Sequence, residues 1–412
     1  MSGQRIDYYD SPEAPRANSL VPSANVVVAD DLQHLSTDHD PTASAALTGL
    51  RSEVRDFLRR QRFPARIDSW LTAVDREFSK ALGQRGWLGM TWAKRYGGHE
   101  RTAVERYVVV EELLAAGAPV AGHWFADRQV GPSLVRHGTE AQKRHFLPKI
   151  AAGECFFAIG MSEPDSGSDL ASVRTRAVKS GSDWVISGTK VWTSNAHRSD
   201  YLLLLARTGP AAGDDARRKN LTQIIVPLTS HGITVNPIRS LDGQHHFNEV
   251  VLEEVRVPRD LTVGAVGEGW SQVTGELAFE RSGPERFLSS FPLLREFARA
   301  AATVQQDAQL VAIGRACSEL MALRRLSVHV AEAIDDGQIP AVQAALVKVV
   351  GTTFESAMTQ RIRDSTMDES LLAPDTALGQ RLIEAELLQP GYTLRGGTSE
   401  ILHGIIAREL AR

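Results

Sequence analysis

Two short segments of the chain combine hydroxyl, glycine and indole groups that could together hold a planar cofactor with a phosphate tail. They are Met161–Asp169 (MSEPDSGSD) and Thr189–Asn195 (TKVWTSN). A hydroxyl can bond a ring heteroatom, a glycine lets backbone N–H groups approach a phosphate, and an indole face can lie against a ring. The segments therefore predict a cofactor site beside a β-rich part of the chain.

With two further blocks, these segments resemble the flavin-binding signature of the acyl-CoA dehydrogenase family. The further blocks are Gly267–Trp270 (GEGW) and Gly397–Ile401 (GTSEI), and they follow in the family's order and spacing. The resemblance extends from about residue 46 to the C-terminus. It implies an FAD cofactor and a reaction in which a base removes the α-proton of an acyl thioester while flavin N5 accepts the β-hydride.

The resemblance also implies which residues contact the cofactor. The family positions of Met161 and Ser162 contact the flavin ring, and the turn at Gly167 and Ser168 lies near phosphate and substrate. The other predicted cofactor contacts are Ile159, Trp192, Ser194, Thr398 and Glu400. On the alternative interpretation, the first segment is only a polar turn after a strand and the indole only part of a core.

The family's usual catalytic glutamate is missing from its place directly before the Gly-Thr-Ser block. Gly396 stands there, and glycine cannot accept a proton. Members that resemble isovaleryl- and long-chain acyl-CoA dehydrogenases instead carry the base in a Glu-Arg pair on the helix after the β-domain. Counting without gaps from Gly267–Trp270 puts Glu280-Arg281 at that pair. Glu280 is therefore the predicted base.

A carboxylate buried beside flavin and an apolar substrate would have a raised pKa, which suits proton abstraction. The alternative for Glu280 is an ordinary solvated helix face, because the same stretch contains a second Glu-Arg pair at Glu285-Arg286.

Three residues are predicted to assist the reaction. The resemblance implies that the backbone N–H of Gly396, with a flavin ribityl hydroxyl, bonds the thioester carbonyl. A main-chain donor of this kind contributes about 3 kcal/mol of transition-state stabilisation and needs no side chain. Arg281 is expected near the active site and substrate, with a plain structural ion pair as the alternative. Ser168 is the other predicted substrate contact.

Length and composition exclude several other classes of protein. The chain has 412 residues, of which 42% are hydrophobic and 23% charged, as in ordinary multidomain globular proteins. A net charge of −4 without a basic block argues against nucleic acid as a partner, and the apolar runs are too short to cross a membrane. Two cysteines and 12 histidines without HExxH spacing predict a reducing cytoplasm and no metal site.

The hydrophobic periodicity changes along the chain, which predicts an α+β multidomain fold. Residues 1–45 lack periodicity and are expected to form a mobile tail. Helical spacing dominates residues 46–155 and 263–412, whereas 156–262 contains short apolar or β-branched runs typical of strands. The resemblance implies an N-terminal helical domain, a small central β-barrel or sandwich, and a C-terminal four-helix bundle.

Several individual elements can also be predicted. Strands are expected at Trp184–Ser187, Tyr201–Ala206, Gln223–Pro227 and Val250–Leu252, and long helices at Leu310–Ile334 and Ala341–Arg363.

The resemblance implies oxidation of an acyl-CoA, or of a thioester on a carrier protein, to the trans-2-enoyl product, with electrons passed to an electron-transfer flavoprotein. Two alternatives stay open: a flavin oxidase or monooxygenase on the same scaffold, and a non-catalytic partner subunit of a hetero-oligomer. A homodimer or homotetramer is expected. A hetero-oligomer is the alternative, because residues 359–389 lack the Gln-x-x-Gly-Gly segment that many relatives use for cross-subunit FAD contacts.

Overall fold

Two helical regions flank a β-sheet in the computed structural model, which describes residues 44–211, 213–304 and 306–411. This order of elements confirms the predicted α+β multidomain fold. The tail predicted for residues 1–45 lies outside the described residues apart from its last two. Of these, Ala45 already begins a helix, and the hydroxyl of Ser44 caps it by accepting the N–H of Leu47.

The N-terminal region consists of seven helices between Ala45 and Ala151. They are α1 Ala45–Arg60, α2 Ser69–Thr72, α3 Arg76–Gln84, α4 Ala103–Ala115, α5 Ala121–Phe125, α6 Gly131–His137 and α7 Glu140–Ala151. The apolar stripe of α1 buries Leu50, Val54 and Phe57 against α4. Helix α4 starts at a capping box in which the side chains of Thr102 and Glu105 bond each other's backbone N–H groups.

The middle region is one mixed eight-stranded sheet. Its strands are β1 Phe157–Gly160, β2 Arg176–Ser180, β3 Asp183–Lys190, β4 Tyr201–Arg207, β5 Leu221–Pro227, β6 Ile233–Ile238, β7 Phe247–Pro258 and β8 Thr262–Val263, with a short helix α8 Asp214–Lys219 between β4 and β5. The strand order is β6-β7-β3-β2-β4-β5-β8, and β1 pairs with β4 in parallel. The loops after β1 and β3 carry most of the predicted cofactor residues.

The C-terminal region is again helical. Its helices are α9 Gly269–Glu280, α10 Phe291–Val304, α11 Asp307–Asp335, α12 Ala341–Ser365, α13 Ala377–Leu388 and α14 Ser399–Leu410. Helix α11 packs on α12 and on α4, and α12 also contacts α14. One apolar core therefore continues through both helical regions, from Trp70 and Leu113 to Phe354. No helix among the described residues has the length and apolarity needed to cross a membrane.

Candidate active site

A buried ion pair holds the turn after β1 against the end of β3. The ammonium group of Lys190 lies 2.8 Å from Glu163 Oε1 and donates a second hydrogen bond to the carbonyl of Met161 at 3.0 Å. Glu163 also accepts the backbone N–H groups of Arg174 at 2.6 Å and Thr175 at 2.9 Å. Burial lowers the pKa of Lys190 to about 8 although Glu163 opposes the shift. The shape of the turn therefore depends on this pair.

The residues of this turn that were predicted to touch the cofactor are accessible from outside. Ser162 is half-buried, and its carbonyl accepts the N–H of Val191 at 2.9 Å. Gly167 and Ser168 are exposed, and a β-carbon added at Gly167 would meet no atom within 4 Å. Nothing in the described chain covers this backbone, so a cofactor phosphate could approach it. Ile159, in β1 and also half-buried, packs against the core beneath.

Trp192 is held in an exposed and strained conformation. Its side chain is 59% exposed and its backbone is left-handed, with φ of 58°. Such a backbone costs on the order of 1 kcal/mol or more for a residue other than glycine. Its ring lies nearly perpendicular to that of Phe247, with ring centres 5.7 Å apart. The interpretation of Trp192 as a core indole is therefore wrong, and one face of the ring is open.

Hydrogen bonds of the residues that follow Trp192 hold its loop in place. Thr193 and Asn248 exchange backbone hydrogen bonds of 3.0 Å, and Asn195 donates its backbone N–H to the carbonyl of His246 at 2.7 Å. The side chain of Asn195 donates to the carbonyl of Leu71 at 2.9 Å. Ser194 is buried within this loop. The loop is thus attached to the N-terminal helical region as well as to β7.

The C-terminal loop before α14 is attached to the same part of the N-terminal region. The guanidinium of Arg395 forms an ion pair with Asp68 and stacks between the rings of Trp70 and Tyr392, at 4.8 Å and 4.7 Å from their centres. Asp68 directly precedes α2, the helix that contains Leu71. The charges of Asp68 and Arg395 also act on the pKa of His246, which burial lowers. The structure thus brings the Trp192 loop and the Gly396 loop to the same short helix.

Gly396 lies against two buried arginines. Arg281 Nε donates to the carbonyl of Gly396 at 3.1 Å. A β-carbon added at Gly396 would lie 2.9 Å from Nη1 and Nη2 of Arg286, and one at Gly397 would lie 3.2 Å from Nη2 of Arg281. Both glycines also have positive φ, 68° and 99°. Arg281 therefore contacts this loop, and the place of a side chain at 396 is taken by Arg286.

Glu280 is the last residue of α9, and its side chain lies outside the described part of the chain. The residues around it are buried: Arg281 is nearly inaccessible, and Glu285 and Arg286 are each 1% exposed. The second Glu-Arg pair is thus not on a solvated face. Glu285 Oε2 lies 3.9 Å from Arg128 Nη2, and Glu285 Oε1 lies 3.7 Å from Arg286 Nε.

Two predicted cofactor residues are located at the start of α14. Thr398 is its N-cap and accepts the N–H of Ile401 at 3.4 Å. Glu400 is exposed in the first turn, and hydrogen bonds from its own backbone N–H and from the Thr398 hydroxyl lower the pKa of its carboxyl group. These hydrogen bonds of Thr398 and Glu400 stay within the start of α14 and do not extend to the Met161–Ser168 turn. A ligand would be needed to connect the two segments.

Sequence reasoning missed a fully buried lysine beside the Gly396 loop. Lys348, in α12, donates to the carbonyl of Thr393 at 3.1 Å. Burial lowers the pKa of Lys348 to about 8, and the guanidinium groups of Arg286, Arg395 and Arg281 add to the shift. The signal in the sequence was a lysine with apolar residues on both sides, in the run AALVKVV. Lysine is almost never fully buried without a partner, so this run indicates that Lys348 has one.

The chain is similar to known proteins over most of its length. The family description "Acyl-CoA dehydrogenase, N-terminal domain" matches residues 44–154, and "Acyl-CoA dehydrogenase, middle domain" matches 158–255. "Acyl-CoA dehydrogenase FadE26" of Mycobacterium tuberculosis is 31% identical over 381 residues, which cover 87% of this chain and 94% of the relative.

Two solved structures are similar over most of their length. "Tcur3481-Tcur3483 steroid ACAD" matches with a TM-score of 0.80 and 31% identity, covering 90% of this chain and 98% of the solved chain. The "ChsE4-ChsE5 complex from Mycobacterium tuberculosis" matches with a TM-score of 0.79 and 29% identity, covering 90% of this chain and 99% of the solved one.

Proposed function

Because the chain belongs to the acyl-CoA dehydrogenase family, as its motifs predicted, we propose that it catalyses FAD-dependent α,β-dehydrogenation of an acyl thioester. Members of this family are flavoprotein oxidoreductases that act on acyl-CoA. The observation that carries the proposal is the attachment of two loops to α2: the loop with the exposed indole of Trp192, and the loop with Gly396. A cofactor contact and a substrate-carbonyl contact would thereby be held at one place.

The residues present fit a flavin. Trp192 offers an open ring face whose position is fixed by the hydrogen bonds of its neighbours, so stacking on it would require no rearrangement. Ser162, Gly167 and Ser168 are accessible for hydrogen bonds to the ring and the phosphates. Thr398 and Glu400 would contact the cofactor from the other side. When bound, the flavin supplies the hydride acceptor of the reaction.

The protein would contribute a base and an oxyanion donor. We assign the base to Glu280, which would take the α-proton of the thioester. Among the described residues, no backbone carbonyl accepts the N–H of Gly396, so this donor is available to the thioester oxygen. Negative charge grows on that oxygen as the proton leaves, and the guanidinium groups of Arg281 and Arg286 lie next to the same loop.

The electron acceptor, assembly and location complete the proposal. We propose an electron-transfer flavoprotein as the acceptor, a homo-oligomer as the assembly and the cytoplasm as the location. The likeness to the ChsE4-ChsE5 complex favours a second candidate, in which this chain assembles with a different subunit. Co-purification of the natively expressed chain would decide, since a stoichiometric second polypeptide is expected only for the hetero-oligomer.

The test is anaerobic mixing of purified protein with a panel of short, branched, long-chain and steroid-side-chain acyl-CoAs while the visible flavin spectrum is recorded. Bleaching by one class is expected, and it would also identify the acyl group. A yellow protein that no thioester reduces would contradict the proposal. Rapid reoxidation in air with release of peroxide would instead support an oxidase.

The assignment of the base is tested by Glu280→Gln. Loss of a positioned proton acceptor should slow flavin reduction by about 10²- to 10⁴-fold while FAD stays bound. Glu154→Gln is the control, because Glu154 is exposed, lies outside the candidate site and has no role in the proposed chemistry. Flavin reduction at the wild-type rate in Glu280→Gln would refute the assignment.

A further inference from the structure

Helix α12 carries a buried row of polar residues. Lys348, Thr352, Glu355 and Thr359 are spaced by four, three and four residues, so they share one face of the helix, and each is at most 1% exposed. The hydroxyls of Thr352 and Thr359 bond carbonyls of α12 itself, at 2.9 Å and 3.0 Å. The two ionisable members of the row, Lys348 and Glu355, therefore make its contacts with other segments.

Lys348 and Glu355 hold backbone groups of segments next to the Gly396 loop. Lys348 donates to the carbonyl of Thr393 at 3.1 Å. Glu355 Oε1 accepts the N–H of Ser290 at 2.9 Å, and the Ser290 hydroxyl lies 3.0 Å from the Tyr392 hydroxyl. The buried row thus supports the start of the loop, at Tyr392 and Thr393.

Two arginines give the loop further support. Arg281 holds the carbonyl of Gly396, Arg395 is tied to Asp68, and the side chain of Leu394 points into solvent. Two consecutive glycines with positive φ give the backbone at 396 and 397 unusual freedom. The direction of the Gly396 N–H therefore depends on Lys348, which holds the carbonyl of Thr393, and on Arg281, which holds the carbonyl of Gly396.

We propose that Lys348 is a positioning residue for the Gly396 N–H, acting through its charged hydrogen bond to the Thr393 carbonyl. This inference rests on the proposed function, in which that N–H bonds the thioester oxygen. Charge-assisted hydrogen bonds are stronger than neutral ones, and a fully buried ammonium group is costly to desolvate. A neutral donor could serve a purely structural contact at lower cost.

The experiment measures anaerobic flavin reduction in the FAD-loaded protein with the acyl-CoA that reduces the wild type. Lys348→Met keeps an unbranched side chain that is one atom shorter, and it removes the donor and the charge. The variant should retain FAD and the wild-type dissociation constant for the substrate. Its rate of flavin reduction should fall by about 10- to 100-fold, since a misplacement of about 1 Å can cost about 100-fold. Thr352→Val is the matched control, since it removes a hydroxyl of the same row that bonds only its own helix.

A pH profile separates positioning from simple support of the fold. Lys348 faces Arg281 at the end of α9, Arg286 beyond it, Arg395 in the loop and Glu400 in α14, and its pKa is lowered to about 8. Because the protonated form makes the charged bond, flavin reduction in the wild type should fall as pH rises through about 8. Lys348→Arg should keep most of the rate and move the fall to higher pH, and Lys348→Met should lack it.

Glu355, on the same helix, has a pKa raised to about 8 by burial and would titrate in the same range. In Glu355→Gln the fall should persist if Lys348 causes it. Wild-type rates in Lys348→Met, or an unshifted fall in Lys348→Arg, would overturn the inference. If Lys348→Met does not fold, the shift in Lys348→Arg decides alone. Failure of the proposed function is distinct, because no thioester would then reduce the wild type.

Discussion

At the scale of single residues, position 396 shows why the missing glutamate cannot simply be restored. A side chain there would need a left-handed backbone and the space that the Arg286 guanidinium occupies, 2.9 Å from a β-carbon. Gly396→Glu introduced into Glu280→Gln should therefore not recover flavin reduction. The packing around Gly396 therefore supports the assignment of the base to Glu280, in addition to the sequence register.

Gly396→Ala tests the same geometry with the smallest side chain. We expect the free energy of unfolding to fall by about 1–3 kcal/mol, because alanine is strained at this φ and contacts Arg286. Gly404→Ala is the control: it lies within α14 with open space around it, so it should be neutral or stabilise by up to about 1 kcal/mol. Urea unfolding curves that are equal for wild type and Gly396→Ala would contradict the expectation.

Sequence could predict roles for Trp192, Gly396 and Arg281 because they lie in or next to short motifs. It could not identify Asp68 as the partner of Arg395, since the two are 327 residues apart and only the tertiary fold brings them together. Lys348 was missed for the same reason: its partner, the carbonyl of Thr393, is a backbone atom without any sequence signature.

At the scale of elements, the predictions that relied on strong apolar patterns are confirmed. The predicted strands lie within β3, β4, β5 and β7, and the two long helices within α11 and α12. The missed strands include β2, which buries only Ala177, and β6, which buries no residue fully. Such strands bury little apolar surface and are held by pairing with their neighbours, so the apolar signal in their own sequences is weak.

The turn after β1 offers a test of how an element supports the cofactor site. Lys190→Met would leave the carboxylate of Glu163 buried without its cation and release the carbonyl of Met161. Breaking a buried pair in this way costs about 3–5 kcal/mol, so both stability and FAD affinity should fall. Lys179→Met, in the exposed part of neighbouring β2, is the control. If titration with FAD gave the same dissociation constant for wild type and Lys190→Met, the Lys190–Glu163 pair would not shape the pocket.

At the scale of the whole molecule, two aspartates join the N-terminal to the C-terminal helical region, but only one of them lies at the candidate site. Asp335, at the end of α11, accepts the N–H groups of Ala103 at 2.6 Å and Val104 at 3.1 Å and so caps α4 from another domain. Asp68 pairs with Arg395 in the loop that carries Gly396. The first contact therefore supports the fold, and the second supports both fold and site.

This difference predicts separable effects of two substitutions. Asp335→Ala should lower the free energy of unfolding by about 1 kcal/mol, as the loss of a helix cap does, and leave flavin reduction unchanged. Its exposed neighbour provides the control: Asp336→Ala should alter neither the free energy of unfolding nor the rate of flavin reduction.

Asp68→Asn tolerates the left-handed backbone but leaves Arg395 without its carboxylate, so stability and the rate of flavin reduction should fall together. If Asp335→Ala slowed flavin reduction as much as Asp68→Asn, the site would depend on the docking of the two helical regions in general. A selective effect of Asp68→Asn is expected, because that ion pair ends on the loop whose N–H bonds the substrate in the proposed reaction.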